Sequence, residues 1–255
     1  MGKVIHVIGN GDKAVYYNQE KREGMKLLCN MPPFEVPRNE VFATCMVDFK
    51  MMKALTEGSV NLDRYNWVLG TRPRIWMYDQ KQSGFYMKYA PNIKEFYTTV
   101  PKYAGNATNF NCGHMAVHYA ANRHKAEEVH LYGFDTLLDF NIRSATDLVL
   151  NSDRTNTNNY RLINNWRPIW RDLFKEFSNT KFVLHHNHDE LKIPKLDNIE
   201  VKVYDGPLTS AQKREDTMDI SGNRVAETVD ASPIKNPPTL NRKQRRALEA
   251  QARRK

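Results

Sequence analysis

The chain is punctuated by short, continuously apolar runs, each closed by glycine, asparagine, aspartate or proline and followed by a longer stretch of different character. The first is Lys3 to Ile8 (KVIHVI), ended by Gly9-Asn10-Gly11. Met25 to Cys29 (MKLLC) closes at Asn30 and the Pro32-Pro33 turn. Glu40 to Val47 (EVFATCMV) closes at Asp48, ahead of a helical FKMMKAL. Asn66 to Leu69 continues the alternation, Arg74 to Tyr78 reads as a further short strand, and one more is placed around Glu95–Val100. Val129 to Tyr132 ends in Gly133-Phe134-Asp135. Lys181 to His185 is the last core strand, with Ile199 to Tyr204 at an edge. Helices are expected from Gly113 to His124, with Met115, Tyr119 and Ala120 on one face, and from Asn164 to Phe177. Strands this short and this apolar, separated by helices, are buried on both sides. The predicted fold is therefore α/β: a Rossmann-like, mostly parallel sheet with helices on both faces.

Charge divides the chain differently. The formal net charge is +9, but residues 240–255 hold seven Lys/Arg against Glu249 alone, which leaves only +3 for everything before them. A mildly basic body is no argument for nucleic-acid binding, whereas the tail invites a polyanion. The expected organisation is a nucleotide-binding domain over 1–205, a flexible polar linker over 206–239 and a basic tail over 240–255. No apolar run approaches the roughly 18 residues of a membrane span. The N-terminal VIHVIGNG is too short for a signal peptide, so the expected location is cytoplasmic. Cys29, Cys45 and Cys112 have no zinc or CxxC spacing and are expected to be reduced.

Ligands of open α/β sheets bind beyond the carboxyl ends of the strands. The residues expected there are Asn10, Asn30, Asp48, Asp135 and His185, from five separate strands. The Gly9-Asn10-Gly11 turn suits a phosphate, because glycines let backbone N–H groups come close to an anion. It has neither the third glycine of the dinucleotide fingerprint nor a P-loop lysine. His185, His186 and His188, with Asp189 and Glu190, read either as a metal-ligating group or as a solvated loop after a strand. His114 could face a ligand from the start of its helix. Trp166 and Trp170 share a helical face and read as core.

The order VIGNG, LLCN, a strand ending in Asp48, then NCGHMAVHYAANRHKAEEVHLYGFD resembles glycosyltransferase family 42, the compact bacterial sialyltransferases. It also resembles the related group around the archaeal-type 6-hydroxymethylpterin pyrophosphokinase. The likeness covers roughly residues 3–185 as a layout and is specific in short patches. In the sialyltransferases the corresponding segments surround a cytidine nucleotide. The resemblance therefore implies nucleotide-binding roles for Gly9, Asn10, Gly11, Asn30 and the Asn111-Cys112-Gly113 segment, and the closing strand with Asp135 also matches. Asn111-Cys112 stands where that family has Thr-Ser. Its tyrosine pair has no counterpart in TLLDFNIRS, and its catalytic histidine none in NSDRTNTNNY. Tyr160 offers itself in place of one tyrosine, and His185 is the nominee for the base.

Three functions follow. The first is a nucleotide-sugar-dependent glycosyltransferase needing no cofactor beyond its sugar-nucleotide substrate. The second is ATP-dependent pyrophosphoryl transfer, with magnesium held by Asp48, Asp135 and Asp139. The third is a non-catalytic nucleotide-fold protein that binds nucleic acid or a partner through its basic tail. Removing residues 240–255 is expected to abolish salt-dependent binding to RNA and DNA while leaving nucleotide affinity unchanged. Filter binding across a salt series, with and without the tail, checks it; equal slopes would make the tail a bystander.

Overall fold

The apolar runs pair into one eight-stranded sheet in the computed structural model, which describes residues 3–19, 22–31, 33–79, 84–139 and 162–204. Tyr160, the 206–239 linker and the basic tail lie outside the described residues. The strands are β1 (Val4–Ile8), β2 (Met25–Cys29), β3 (Val41–Met46), β4 (Trp67–Leu69), β5 (Ile93–Phe96), β6 (Glu128–Tyr132), β7 (Lys181–His186) and β8 (Ile199–Val203). Their spatial order is β5-β4-β3-β2-β1-β6-β7-β8, and every neighbouring pair is parallel. The chain steps outward from β1 to β5, then returns to lay β6 on the other side of β1. That reversal puts a topological switch point between β1 and β6, where crevices form in such sheets.

Alternation along each strand serves two cores. Val7, Leu27, Cys45, Leu131 and Phe182 face one side, under α4 (Cys112–His118) and α5 (Arg167–Glu176), which contribute Met115, Trp170 and Phe174. Ile8, Leu28, Met46, Trp67 and Tyr132 face the other, under α1 (Phe49–Thr56) and the 3-10 helix Asp12–Gln19. Helices on both faces are thus present. α4 runs on through a π-helical turn, Tyr119–Arg123, and another, Leu162–Trp166, leads into α5. Trp170 is core, as expected; Trp166 is half-buried.

The strand expected around Glu95–Val100 falls earlier, as β5 at Ile93–Phe96, and one further element differs in kind. Arg74 to Tyr78 lies within helix α2 (Thr71–Asp79), not in a strand. Pro73 sits in the helix's first turn, where its missing N–H costs nothing, and the buried residues are Pro73 and Met77, four apart. That is helical spacing. A short helix, α3 (Gly84–Tyr89), follows before β5. No helix among the described residues is long and apolar enough to cross a membrane.

The second face also carries a row of buried polar rings. His6 is level with His130 in the β1–β6 register, and Tyr132 with His185 in β6–β7. The hydrogen bonds run one way: Arg22 donates to the Tyr204 hydroxyl (3.0 Å), Tyr204 to His185 Nδ1 (2.8 Å), His185 Nε2 to His130 Nδ1 (2.9 Å), and His130 Nε2 to Glu128 (2.8 Å). His6 donates through Nε2 to the Glu23 carbonyl and accepts from Tyr132. Each ring is neutral in this arrangement. Burial, the largest cause, holds His6 and His130 down to about 4 and His185 to about 2; the neighbouring histidines and the Arg22 cation push the same way.

The sign for stability follows. Above pH 6.5 these histidines are neutral whether folded or unfolded, and the fold is unpenalised. Below it the unfolded chain takes up protons that the folded chain refuses, so stability falls as pH drops from 6.5 toward 4. The slope is about 1.4 kcal/mol per pH unit for each such histidine. Urea midpoints between pH 7 and pH 5 are expected to fall accordingly, and to fall less steeply in His130→Gln. An equally steep profile in that variant would place the proton uptake elsewhere.

Candidate functional site

At the switch point the β1–β6 pairing continues past the strands. Gly9 N–H donates to the Tyr132 carbonyl (2.7 Å) and Gly11 N–H to the Gly133 carbonyl (3.1 Å). A Cβ on Gly9 would lie 2.7 Å from the Gly133 oxygen, and one on Gly11 2.5 Å from Asp135 Oδ2. Gly133 takes φ +68 to turn under them. Both glycines are therefore required by close packing of two turns, and both N–H groups are used within the protein. This corrects the expectation that Gly9 and Gly11 present their N–H groups to a phosphate. What the glycines do is bring the Asp135 carboxyl against the first turn.

Asn10, Asn30 and Asp135 follow the ends of three neighbouring strands, β1, β2 and β6. Asn10 and Asn30 stand two residues beyond the Ile8–Leu28 pair, on adjacent strands; Asp135 stands three beyond Tyr132, the partner of Ile8 in β6. Asn30 is only 3 % exposed and holds φ 49, a backbone state that asparagine tolerates better than most residues. Asp135 is 4 % exposed, and its Oδ2 accepts a long 3.4 Å bond from Lys13 N–H. Burial, then the nearby Asp12 and Asp139 charges, raise its carboxyl to about 7. Asn10 Oδ1, Asn30 Oδ1 and Asp135 Oδ1 are all buried without a hydrogen-bond partner. A buried polar atom left unpaired costs about 1–3 kcal/mol, and three at consecutive strand ends call for a common cause.

The start of α4 closes over this edge. Gly113 packs against Phe134 and Trp170, where a Cβ would lie 2.9 Å from the phenyl ring. Asn111 caps the helix, accepting from His114 N–H while its own N–H donates to His114 Nδ1. His114 is fully buried, its other nitrogen bonded to the Trp166 carbonyl (3.2 Å), so it anchors the helix start and faces no ligand. Cys112 is equally committed: its thiol donates to the Cys45 carbonyl at 2.7 Å. The hydrogen bond with Cys112, then burial, raises the Cys29 thiol, and burial raises that of Cys45, so both stay protonated and unreactive.

Asp48 and His185 do not join. Asp48 pairs with Arg72 (2.9 Å), beside a shallow cleft lined by Val47, Gly70, Thr71, Tyr97 and Thr99. Three strand steps separate β3 from β6, about 14 Å at the usual sheet spacing. Asp48 therefore shares no ion with Asp135 and Asp139, and the expected three-carboxylate magnesium site is not assembled. His185 lies within the ring row, 2 % exposed and bonded at both nitrogens. It cannot meet an acceptor hydroxyl as the base.

What forms instead is a group only half legible in the sequence. His186 Nε2 lies 3.1 Å from Asp139 Oδ2, and His188 Nε2 lies 2.8 Å from Asp139 Oδ1. His186 ends β7 and His188 follows the bend at Asn187, yet both reach the same carboxylate; His185, its neighbour in the strand, points away. Strand alternation was the signal that separates them. Asp139 joins them from the turn after β6, where its N–H donates to the Asp135 carbonyl (2.6 Å). Asp189 and Glu190 are not part of the group, and Glu190 pairs with Lys192.

Comparison of the chain with protein-family models, curated proteins and solved structures gives no match. Gly11→Ala is expected to cost about 1–3 kcal/mol in urea unfolding through overpacking. Asp135→Ala in the same chain should recover part of that loss. Strictly additive effects would show that the Gly11–Asp135 contact is not the reason for the glycine.

Proposed function

We propose that the strand ends around the switch point hold a nucleotide, and that the chain transfers the sugar it carries to an acceptor hydroxyl. The observation that carries this reading is the trio of buried, unpaired acceptors Asn10 Oδ1, Asn30 Oδ1 and Asp135 Oδ1. A nucleoside offers the donors they lack, ribose hydroxyls and base N–H groups, within one rigid ligand. The placement agrees with the resemblance to family 42, which assigns the glycine–asparagine–glycine turn and Asn30 to the nucleotide. The magnesium-dependent alternative loses support with the separation of Asp48 from Asp135 and Asp139.

In such a transfer the bond between the anomeric carbon and the nucleotide's phosphate oxygen breaks as the acceptor oxygen bonds to that carbon. Asn10 and Asn30 fix the nucleoside, so the phosphate is held in place while negative charge grows on it. Lys13, anchored through its N–H to Asp135, brings a cation beside the same turn. The acceptor proton passes to solvent water, since His185 is closed off within the ring row.

Thermal-shift measurements with CMP, UDP, GDP and ATP, with and without magnesium, test the reading. A magnesium-independent rise in Tm with a pyrimidine nucleotide is expected; no shift with any nucleotide would overturn it. Asn30→Ala is expected to weaken the bound nucleotide about tenfold or more, because a buried amide contact is worth about 1–3 kcal/mol, with a modest fall in apo Tm because alanine tolerates the φ 49 backbone less well. An unchanged Kd by calorimetry would remove Asn30 from the site.

A further inference from the structure

We propose that Asp139, His186 and His188 bind one divalent transition-metal ion, zinc by chemical class, through the Nε2 atoms of both imidazoles and the Asp139 carboxylate. The ligand atoms already lie within 4.8 Å of one another. Tetrahedral zinc with bonds of about 2.0–2.2 Å needs its ligands about 3.3–3.6 Å apart, so closure asks for side-chain adjustment alone. Both Nε2 atoms face the same carboxylate, one at each oxygen, and the two rings meet edge to face with centroids 4.3 Å apart. Two imidazoles and one carboxylate are a borderline donor set that suits zinc, and poorly suits magnesium with its preference for oxygen. Three protein ligands leave a position open, the pattern of zinc sites that hold a water or a substrate atom.

Independent observations point the same way. His186 is 1 % exposed, and its Nδ1 is buried without a partner, so the ring is held by its hydrogen bond to Asp139. A ring desolvated this far is secured only weakly by a single hydrogen bond. The adjoining Asp135 is also nine-tenths buried and has an unpaired oxygen. Asp12, Asp135 and Asp139 repel one another at this corner, and a dication offsets that repulsion. His188 is about a third exposed, which leaves a path for entry. Its Nδ1 accepts a long 3.3 Å contact from Glu190 N–H, which coordination through Nε2 would give up together with the two Nε2 hydrogen bonds to Asp139 that the ion replaces. The inference does not rest on the nucleotide reading and is tested without nucleotide.

The experiment titrates the full chain, stripped with chelator, with zinc and then cobalt chloride. Calorimetry gives stoichiometry and affinity, and the visible spectrum of bound cobalt gives geometry. One ion per chain with an intense tetrahedral-type cobalt spectrum is expected. Asp139→Asn and His188→Ala should each weaken binding at least a hundredfold with unchanged circular dichroism. His124→Ala, which alters a histidine outside the group, should bind as the parent does. No saturable binding overturns the proposal, as does parental affinity in both Asp139→Asn and His188→Ala. Preference for magnesium over zinc overturns the transition-metal assignment. If His188→Ala fails to fold, Asp139→Asn decides, because it keeps the side chain's size and one acceptor.

Discussion

The junction of two turns, Gly9 to Gly11 against Gly133 to Asp135, governs the functional end of the molecule. Two backbone hydrogen bonds carry the β1–β6 ladder past the strands, and neither first-turn glycine has room for a Cβ. Because the turns are locked together, Asp135 is buried beside Asn10, and Asp139, one helical turn later, is carried to the end of β7. Both candidate sites thus hang from one contact. A looser junction would admit water to Asp135 and relieve the unpaired oxygens, at the expense of the order that makes them useful.

The fold was readable because a buried parallel strand has a blunt signature: a handful of apolar residues and a stop. β2 matches its expected span from Met25 to Cys29, and β1, β3, β4, β6, β7 and β8 differ from theirs by a residue or so at an end. The same bluntness misled at Arg74 to Tyr78. Ile75 and Trp76 look strand-like, yet the buried partners are Pro73 and Met77. A spacing of four decides for helix there, and local composition does not show which residues will be buried.

The site was legible only as a set of positions. Asn10, Asn30 and Asp135 could be placed at strand ends by counting, since parallel register is regular. The duties of Gly9 and Gly11 could not, because the atoms they touch come from residues more than a hundred places away. His185 failed for a different reason. In a strand, adjacent histidines belong to opposite surfaces, so grouping His185 with His186 joined two environments that the sheet keeps apart. Asp139 was expected beside two other carboxylates. Its neighbours are imidazoles brought by the next crossover.

The ring row on the second face has a direction, and direction has consequences for heredity. Each neutral imidazole donates once and accepts once, so the Arg22 cation at one end and the Glu128 carboxylate at the other set every tautomer between them. Replacing one ring by an aliphatic residue would strand a donor on one side and an acceptor on the other, both desolvated. Replacing the whole row by aliphatic residues would cost a bond only at the two ends, Arg22 and Glu128, both partly exposed to water. Intermediate sequences are therefore worse than either end state. Tyr204, His185 and His130 should be inherited or lost as a block, an epistatic unit drawn from three strand segments far apart in the chain.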